Sequence, residues 1–336
     1  MKLITAFFTC LFISMPVIAK GKPPLSLTLD NYSYPYPTQI LSLQTQQQPL
    51  NMAFMDVQPK TPNGHAVVLL HGKNFNGAYW RSTIKSLSEE GYRVIVPDQI
   101  GFGKSSKPAH YQYSFQQLAV NTKNLLEHLK IKKASILGHS MGGMLATRFA
   151  LMYPQFTQQL ILLNPIGLED YQQWVPYQTV DKWYQNELNK NADKIKGYQK
   201  KNYYDGHWKA EYDEWVELLA GWTKNPDYPL IAWNAALTYD MIFTQPVVQD
   251  FAKIKSPTLL IIGTRDRTAL GKNLVDDKTQ KKMGLYQNLG KQTQKSIPNA
   301  KLVELDNVGH LPHIEAFDRF IGPLISFLDG SKAPTE

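Results

Sequence analysis

A serine stands at the junction of two apolar segments, with a glycine two residues away on each side. The stretch from Ala134 to Pro154 reads ASILGHSMGGMLATRFALMYP, and Ser140 lies between a strand-like run and a helix-like run. Such a serine can cap the helix, since serine is a favoured N-cap residue. It can also be a nucleophile on a sharp strand-to-helix turn. The pentapeptide alone does not decide, because G-x-S-x-G arises by chance in roughly one chain in ten of this length.

A nucleophilic serine needs two further residues, and both have candidates downstream. The hydroxyl becomes reactive when a base accepts its proton and an acid orients that base. Asp266 follows the apolar run PTLLIIG, and His310 follows the run KLVELD. The order Ser, Asp, His, with each residue just past a strand-like run, is the context that a nucleophilic turn of this type requires. Ser140, Asp266 and His310 are therefore the candidate catalytic residues.

The elements that would bring these residues together alternate along the chain. Short apolar or β-branched runs predict strands near 39–43, 50–57, 66–70, 92–98, 134–138, 160–165, 257–263 and 301–306. Helical patterns separate most of the later runs, and one of them opens with the capping box Ser114–Gln117. This alternation predicts a mostly parallel α/β sheet with helices on both faces. Ligands bind at the carboxyl ends of such strands, where the three candidates stand.

The alternation stops between Ile166 and Phe251. This part of the chain is rich in Trp, Tyr and Lys and shows helical stretches without a strand pattern. We therefore expect a core of residues 20–165 and 252–336, interrupted by a helical lid at 166–251. Its aromatic residues would stabilise the lid and also wall an apolar pocket above Ser140. Its lysines are interpreted as a solvated face: Lys182, Lys190, Lys194, Lys196, Lys200, Lys201 and Lys209.

Taken together, these motifs resemble those of the α/β-hydrolase superfamily, specifically its lid-bearing serine hydrolases. The matching motifs are His71-Gly72, D-x-x-G-x-G-x-S at 98–105, GHSMGG at 138–143, G-x-x-D at 263–266 and Gly309-His310. The resemblance implies that Ser140 is the nucleophile, His310 the general base and Asp266 the acid that orients it. It also implies an oxyanion hole formed by the backbone N–H groups of Lys73 and Met141, supported by His71, Gly72 and His139.

Other acidic residues compete with Asp266 for the orienting role. Glu169 and Asp170 follow the fourth strand of the alternating series, where some related enzymes carry the acid, but Asp266 has the better motif. Asp98 lies in DQIGFGKSS, which resembles a structural loop of the family. We therefore expect Asp98 to be structural and Asp266 to be the acid.

Several histidines and arginines have both a structural and a functional interpretation. We expect His71 to shape the oxyanion loop by hydrogen bonding, His139 to pack beneath the nucleophile, and His313 to begin the last helix. Arg265 and Arg267 could bind an anionic substrate group, but structural ion pairs are favoured. The remaining histidines (His65, His110, His128 and His207) have no metal-ligand spacing near a carboxylate, so we expect no metal site.

Composition and the first residues bound the remaining possibilities. The chain has 336 residues, of which 43% are hydrophobic and 19% charged, as in globular proteins. A net charge of +8 without a basic, aromatic-interleaved block gives no indication of nucleic-acid binding.

The apolar run 3–19 after Met1-Lys2 predicts a cleaved signal peptide at 1–19 and export, although an uncleaved anchor remains an alternative. The run is too short for a stable membrane span. Cys10 is the only cysteine, so the mature chain would have no thiol.

The sequence therefore predicts an exported serine hydrolase that cleaves a carboxylic ester through an acyl-enzyme. We expect a small, apolar acyl substrate and no cofactor. A C–C bond hydrolase, or an amidase or peptidase, would use the same triad and stays open. A catalytically silent binding protein on this fold is the alternative from a different class. Nothing in the sequence indicates the oligomeric state.

Overall fold

Eight strands form one sheet in the computed structural model, which describes residues 23–330. In chain order they are β1 (Thr38–Thr45), β2 (Gln48–Val57), β3 (Ala66–Leu70), β4 (Arg93–Pro97), β5 (Ala134–His139), β6 (Thr157–Leu163), β7 (Thr258–Gly263) and β8 (Ala300–Leu305). Their order across the sheet is β1-β2-β4-β3-β5-β6-β7-β8. Only the pairs β1–β2 and β2–β4 are antiparallel among these strands. The predicted mostly parallel sheet is confirmed.

Helices cover both faces of the sheet. Eleven α-helices occur in the described residues: α1 (Arg81–Glu89), α2 (Phe115–His128), α3 (Met141–Met152), α4 (Val180–Leu188), α5 (Ala192–Asn202), α6 (Asp213–Thr223), α7 (Tyr228–Thr244), α8 (Asp277–Gln280), α9 (Tyr286–Ser296), α10 (Pro312–Glu315) and α11 (Phe317–Asp329). Alternate residues of a strand point to opposite faces. Val68 and Leu70 of β3 join the apolar cluster that includes α2, α3 and α9, whereas Val67 and Leu69 join the cluster that includes α1 and α11. The central strands are apolar throughout because both of their faces are buried.

Two predicted helices begin or divide differently from the expectation. The helix expected from Ala78 starts as a 3-10 turn, Gly77–Trp80, because the Asn76 side chain accepts a hydrogen bond from the Ala78 N–H, and the α-helix follows only from Arg81. The helix expected over 313–328 is divided at Ala316, whose ψ of 52° is not helical. The strands that carry the candidate residues are unaffected.

The region that interrupts the alternation contains α4 to α7, and we refer to residues 166–251 as the inserted segment. Helix α4 packs along α7, where the rings of Trp183 and Tyr239 stack with their centres 4.6 Å apart. The segment leaves the sheet after β6 and returns to it at β7, so it emerges at the carboxyl end of β6. Ser140 lies at the same edge of the sheet, directly after β5.

Residues 23–36 connect the inserted segment to the sheet. The Leu25 N–H donates to the Gly221 carbonyl (3.1 Å) and the Trp222 Nε1–H donates to the Ser26 carbonyl (2.9 Å). A few residues later the Tyr34 hydroxyl donates to Oδ2 of Asp98 (2.6 Å). The predicted signal peptide lies outside the described residues. No helix between residues 23 and 330 is long and apolar enough to cross a bilayer.

Candidate active site

Ser140 occupies a strained turn between β5 and α3. Its φ of 55° and ψ of −121° are unfavourable for a residue with a side chain. The neighbouring glycines are required by close backbone approaches, since a Cβ at Gly138 would lie 2.0 Å from the Gly142 carbonyl oxygen and one at Gly142 would lie 2.2 Å from that of Leu70. The Ser140 hydroxyl makes no capping hydrogen bond. The capping interpretation therefore does not explain this serine.

The hydroxyl of Ser140 instead contacts a buried histidine. Its Oγ lies 3.0 Å from Nε2 of His310, and Nδ1 of His310 lies 2.6 Å from Oδ2 of Asp266. Ser140, His310 and Asp266 are 7%, 1% and 0% exposed. An ionised carboxylate only accepts hydrogen bonds, so the Asp266 contact places the His310 proton on Nδ1 and leaves Nε2 free to accept from Ser140. The structure thus brings the three sequence-predicted residues into one hydrogen-bonded line.

A buried asparagine that the sequence analysis did not identify holds Asp266 in place. Nδ2 of Asn164 donates to Oδ2 of Asp266 (2.8 Å), and the Thr268 N–H donates to Oδ1 (2.8 Å). Oδ1 of Asn164 accepts from the Gly263 N–H (2.8 Å), which fixes the orientation of the amide. Asn164 has a φ of 37° just after β6, a conformation that asparagine tolerates better than most residues. The Asn-Pro pair after LILL is the sequence signal for this turn.

The competing acids have other partners. Glu169 accepts a hydrogen bond from the Gly284 N–H (2.8 Å), and burial raises the pKa of Glu169. Asp170 accepts from the Gln172 N–H (3.0 Å) and from Nε2 of Gln249 (2.9 Å). Neither carboxylate hydrogen-bonds to His310 in the part of the chain that the structure describes. Asp266 is the acid next to the histidine.

Two backbone N–H groups near Ser140 have no acceptor among residues 23–330. They belong to Lys73, in the loop after β3, and to Met141, the first residue of α3. Ring nitrogens of His71 fix the Lys73 loop: Nε2 accepts from the Gln99 N–H (3.0 Å) and Nδ1 donates to the Gly72 carbonyl (2.9 Å). Burial lowers the pKa of His71, which keeps the ring neutral in this arrangement. The two free donors lie where an oxyanion hole is expected in this type of turn.

A hydrogen-bonded chain runs from this loop to the backbone of His310. The Gly72 N–H donates to the Tyr79 hydroxyl (2.9 Å), and the Tyr79 hydroxyl lies 3.0 Å from Nδ1 of His139. Nε2 of His139 lies 2.8 Å from the His310 carbonyl oxygen. Since a carbonyl only accepts, Nε2 of His139 carries the proton and Nδ1 accepts from Tyr79. Burial and the nearby His310 and His313 hold the pKa of His139 well below its usual range, so the ring stays neutral.

The residues for which a structural role was expected contact other parts of the protein rather than the cavity over Ser140. Asp98 accepts hydrogen bonds from the N–H groups of Lys104 (2.8 Å), in its own loop, and of Gly77 (2.7 Å), at the 3-10 turn before α1. Arg265 forms an ion pair with Glu315. Arg267 forms no ion pair within residues 23–330, contrary to the expectation, and donates instead to the carbonyl groups of Thr264 (2.9 Å) and Asp266 (2.6 Å). His313 is buried at the start of α10, with its ring centre 4.4 Å from that of Trp80.

The inserted segment also contacts the candidate base. The ring of Tyr203 stacks on His310 with centres 4.8 Å apart and an interplanar angle of 26°. The Tyr203 carbonyl accepts a hydrogen bond from the His310 N–H (3.3 Å). A Cβ at Gly309 would lie 1.9 Å from that carbonyl oxygen, so only glycine permits this approach. Sequence patterns give no signal for this contact because Tyr203 is about a hundred residues from His310.

A cavity of about 120 Å³ opens over Ser140. Its walls come from the Lys73 loop, the inserted segment and the chain after Asp266, and they include Lys73, Asn74, Trp183, Tyr198, Tyr239 and Ile242. Of the tryptophans expected to wall the pocket, only Trp183 lines this cavity. Trp222 lines a neighbouring small cavity, and Trp174 is 40% exposed at the surface. The walls are mainly apolar but include the polar side chains of Lys73 and Asn74.

Comparison with known proteins identifies the fold. The model of the family described as "alpha/beta hydrolase fold" matches residues 65–317. A probable hydrolytic enzyme of Pseudomonas aeruginosa PAO1 is 50% identical, with a TM-score of 0.90 over 91% of this chain and 98% of its own. An esterase of Exiguobacterium antarcticum shares the fold at 20% identity, with a TM-score of 0.67 over 87% of this chain and 100% of its own.

Shorter sequence matches extend to other hydrolases. The 2-hydroxy-6-oxononadienedioate/2-hydroxy-6-oxononatrienedioate hydrolase of Comamonas testosteroni is 38% identical over 108 residues, which are 31% of this chain and 38% of that enzyme. The matches to the first curated relatives span only 30–39% of those proteins' own lengths. These comparisons show the fold and the general reaction class of hydrolases.

Proposed function

This chain belongs to the alpha/beta hydrolase family, and on that premise we propose that it is an exported serine hydrolase that cleaves a carboxylic ester through an acyl-enzyme. The proposal depends chiefly on one observation. Ser140 Oγ, His310 and Asp266 form a continuous hydrogen-bonded line with distances of 3.0 and 2.6 Å. A serine, an imidazole and a carboxylate in this order are the groups that acyl transfer requires.

The first half of the reaction forms the acyl-enzyme. Ser140 Oγ attacks the ester carbonyl carbon while Nε2 of His310 accepts the hydroxyl proton. The carbonyl oxygen becomes an oxyanion, which the N–H groups of Lys73 and Met141 stabilise. Removing one such donor typically costs about 10²–10³-fold in turnover. As the tetrahedral intermediate collapses, His310 gives the proton to the departing alkoxide, and the alcohol leaves.

The second half uses the same groups on water. His310 accepts a proton from a water molecule, whose oxygen attacks the acyl carbon, and the second tetrahedral intermediate returns to the same N–H groups. Collapse then releases the carboxylic acid, and the proton on Nε2 returns to Ser140. Asp266 keeps its charge throughout and stabilises the imidazolium that forms twice per turnover. No step in this sequence needs a cofactor.

The inserted segment is assigned to substrate selection. It supplies Trp183 and Tyr239 to the cavity above Ser140. A volume of about 120 Å³ holds about four water molecules, since each occupies about 30 Å³ in the liquid. We therefore expect short acyl groups to be accepted, with longer ones reaching into the adjoining cavities of the segment.

Labelling with a fluorophosphonate probe and hydrolysis of p-nitrophenyl esters of increasing acyl length test the proposal. We expect stoichiometric labelling of Ser140 in the wild-type protein, loss of labelling in Ser140→Ala, and highest activity on short esters. Labelling at a different serine, or none on a folded protein, would contradict it. Mass spectrometry of protein from the native host tests export, since cleavage near Ala19 predicts a mature chain without Cys10.

A C–C bond hydrolase is the second candidate, because the same triad serves that reaction and the Comamonas testosteroni relative carries such a name. Release of a carboxylic acid from a vinylogous diketone in place of an ester would favour it. Comparing kcat/KM for the two substrate types on one preparation decides between them.

A further inference from the structure

The side chain of Lys73 enters the cavity that contains Ser140. Its Nζ lies 3.5 Å above the centre of the Tyr239 ring, on helix α7 of the inserted segment. An ammonium group has three N–H donors, and an aromatic face stabilises the charge without offering a lone pair to them. In residues 23–330 no oxygen accepts a hydrogen bond from Lys73 Nζ and no carboxylate pairs with it. The cavity therefore contains a cation without a hydrogen-bond acceptor.

The nearest carboxylate is already engaged. Glu187 is buried at the end of α4, where its Oε1 lies 2.7 Å from Nζ of Lys190 and the Tyr239 hydroxyl hydrogen-bonds to it. Burial disfavours the charged form of each group, but the charges of Lys190 and Lys73 lower the pKa of Glu187, and Glu187 raises the pKa of Lys190. Burial lowers the pKa of Lys73 to about 7, and the Glu187 charge only partly opposes this shift. With Lys73 protonated, the group of three carries one net positive charge.

Lys190 is one of the residues that the sequence analysis assigned to a solvated face. Lys190 fits that assignment only in part, because its side chain is 28% exposed and pairs with Glu187, which is 4% exposed. The ion pair affects the charge of the site. Because Lys190 balances the charge of Glu187, Lys73 is left without a paired carboxylate.

A second unpartnered polar group lines the adjoining space. Gln199 on α5 is 1% exposed, and neither its Oε1 nor its Nε2 has a hydrogen-bond partner in the described residues. It lines a cavity of about 370 Å³ that shares Asn74, Tyr198 and Tyr239 with the cavity over Ser140. A buried amide without partners is unfavourable unless a ligand or water satisfies it. The Lys73 ammonium and the Gln199 amide both lack hydrogen-bond partners in the described residues, which indicates a polar ligand.

We propose that the substrate carries a carboxylate, which binds the Lys73 ammonium beside Ser140 while Gln199 hydrogen-bonds a polar group that reaches into the adjoining cavity. This inference rests on the proposed ester hydrolase function and names its substrate class. One net positive charge suits a monoanion better than a phosphate dianion, and the small volume over Ser140 suits a short molecule. It replaces the expected apolar acyl substrate with an anionic one.

Matched pairs of alkyl esters test the proposal in a pH-stat. For an anionic acyl group, ethyl hydrogen succinate is compared with ethyl 4-methylpentanoate, in which an isopropyl group replaces the carboxylate. For an anionic alcohol, 3-acetoxypropanoate is compared with 3-methylbutyl acetate. The quantity of interest is the ratio of kcat/KM for the anionic ester to that for its neutral partner, because this ratio cancels effects on the shared chemistry.

We expect the wild-type protein to prefer the anionic member of at least one pair, and Lys73→Met to lower that ratio by about 10- to 100-fold, as for a lost hydrogen bond to a charged group. Gln199→Leu lowers the same ratio to a smaller extent. Lys182→Met, which removes an exposed lysine of α4, is the matched control and keeps the wild-type ratio. A wild-type preference for the neutral member of both pairs, or a ratio unchanged in Lys73→Met, overturns the proposal.

The wild-type protein gives an independent measurement if Lys73→Met does not fold. Glu187 and Lys190 interact electrostatically with Lys73, Tyr239 lies beneath its ammonium, and Tyr198 lines the same cavity. The shifted pKa values of these four groups keep their charge states constant around neutral pH. Lys73 is charged below its pKa of about 7, so the ratio falls as pH rises from 6 to 9. A ratio that is flat or rises overturns the proposal. Fluorophosphonate labelling separates the two hypotheses: labelled Ser140 with a flat ratio overturns only this inference, and absent labelling overturns the hydrolase mechanism itself.

Discussion

The hydroxyl of Tyr79 lies 3.0 Å from Nδ1 of His139, and this contact connects the loop after β3 to the backbone of His310. On one side Tyr79 accepts from the Gly72 N–H, and on the other His139 donates to the His310 carbonyl. Each donor in this series of hydrogen bonds has one acceptor, so the atom that carries each proton is fixed. We therefore infer that Tyr79 and His139 hold the Lys73 loop and the candidate base His310 at a constant separation.

Tyr79→Phe is expected to lower kcat more than it changes KM. The substitution leaves the buried Gly72 N–H and Nδ1 of His139 without partners, which costs about 1–3 kcal/mol of the free energy of unfolding. Because the loop then loses its link to His310, the distance from the oxyanion donors to Ser140 is less well defined. Chemical denaturation and steady-state kinetics measure the two effects. Tyr111→Phe, which removes a buried hydroxyl bonded to Asn121 away from the site, is the control. Unchanged kcat in a destabilised Tyr79→Phe would leave only a structural role.

Ser140→Ala and Ser140→Gly are both expected to abolish turnover, but they differ in stability. Alanine keeps the strained φ of 55°, whereas glycine adopts this region with little strain. We therefore expect Ser140→Gly to be more stable than Ser140→Ala by about 1 kcal/mol. Equilibrium unfolding of the two variants measures the difference. Equal stabilities would show that the turn stores no strain at this position.

Asp266→Asn is expected to reduce kcat by up to about 10⁴-fold, on the analogy of other serine triads. The amide offers Nδ1 of His310 a donor where an acceptor is needed and so favours the wrong tautomer. Glu169→Gln is the matched control, since its carboxylate contacts only the Gly284 N–H in the described hydrogen-bond pattern. Near-full activity of Asp266→Asn together with a loss in Glu169→Gln would show that Glu169 is the acid.

Trp183→Ala is expected to change the order of preference among acyl lengths with a larger effect on KM than on kcat. Trp183 lines the cavity over Ser140, and uniform binding does not accelerate the chemical step. Trp174→Ala removes an exposed tryptophan of the same segment and should leave the order unchanged. Hydrolysis of a p-nitrophenyl ester series by both variants tests this. A shift of kcat by one common factor for every ester would argue against substrate selection by Trp183.

Residues that lie directly after strands were predictable from the sequence. Ser140, Asp266 and His310 each follow an apolar run, and the shared edge of a parallel sheet brings such positions together whatever their separation along the chain. The strand runs were readable because burial on both faces leaves continuous apolar stretches. Local turn chemistry likewise favoured a structural Asp98.

Contacts made by the inserted segment were not predictable in the same way. The ion pair of Lys190 and the position of Gln199 depend on how α4, α5 and α7 pack, and helical periodicity does not specify that packing. From the sequence Lys73 was predictable only as a backbone donor, because Glu187 and Tyr239, which act on its ammonium, are more than a hundred positions away. Asn164 and Tyr79 were missed for the same reason, since the role of each depends on a partner that is distant in the sequence, Asp266 and His139 respectively.

The contact between Tyr203 and His310 has a consequence for protein engineering. Exchanging inserted segments between related hydrolases is an obvious way to transfer substrate range from one to another. In this protein the segment supplies both a stacking ring and a backbone acceptor to His310. A chimera that omits these contacts would acquire new pocket walls and lose the alignment of its base at the same time. Recombination junctions therefore have to keep the recipient's own residues around Tyr203. Alternatively, the donor's counterparts of Gly309 and His310 have to be transferred together with its segment.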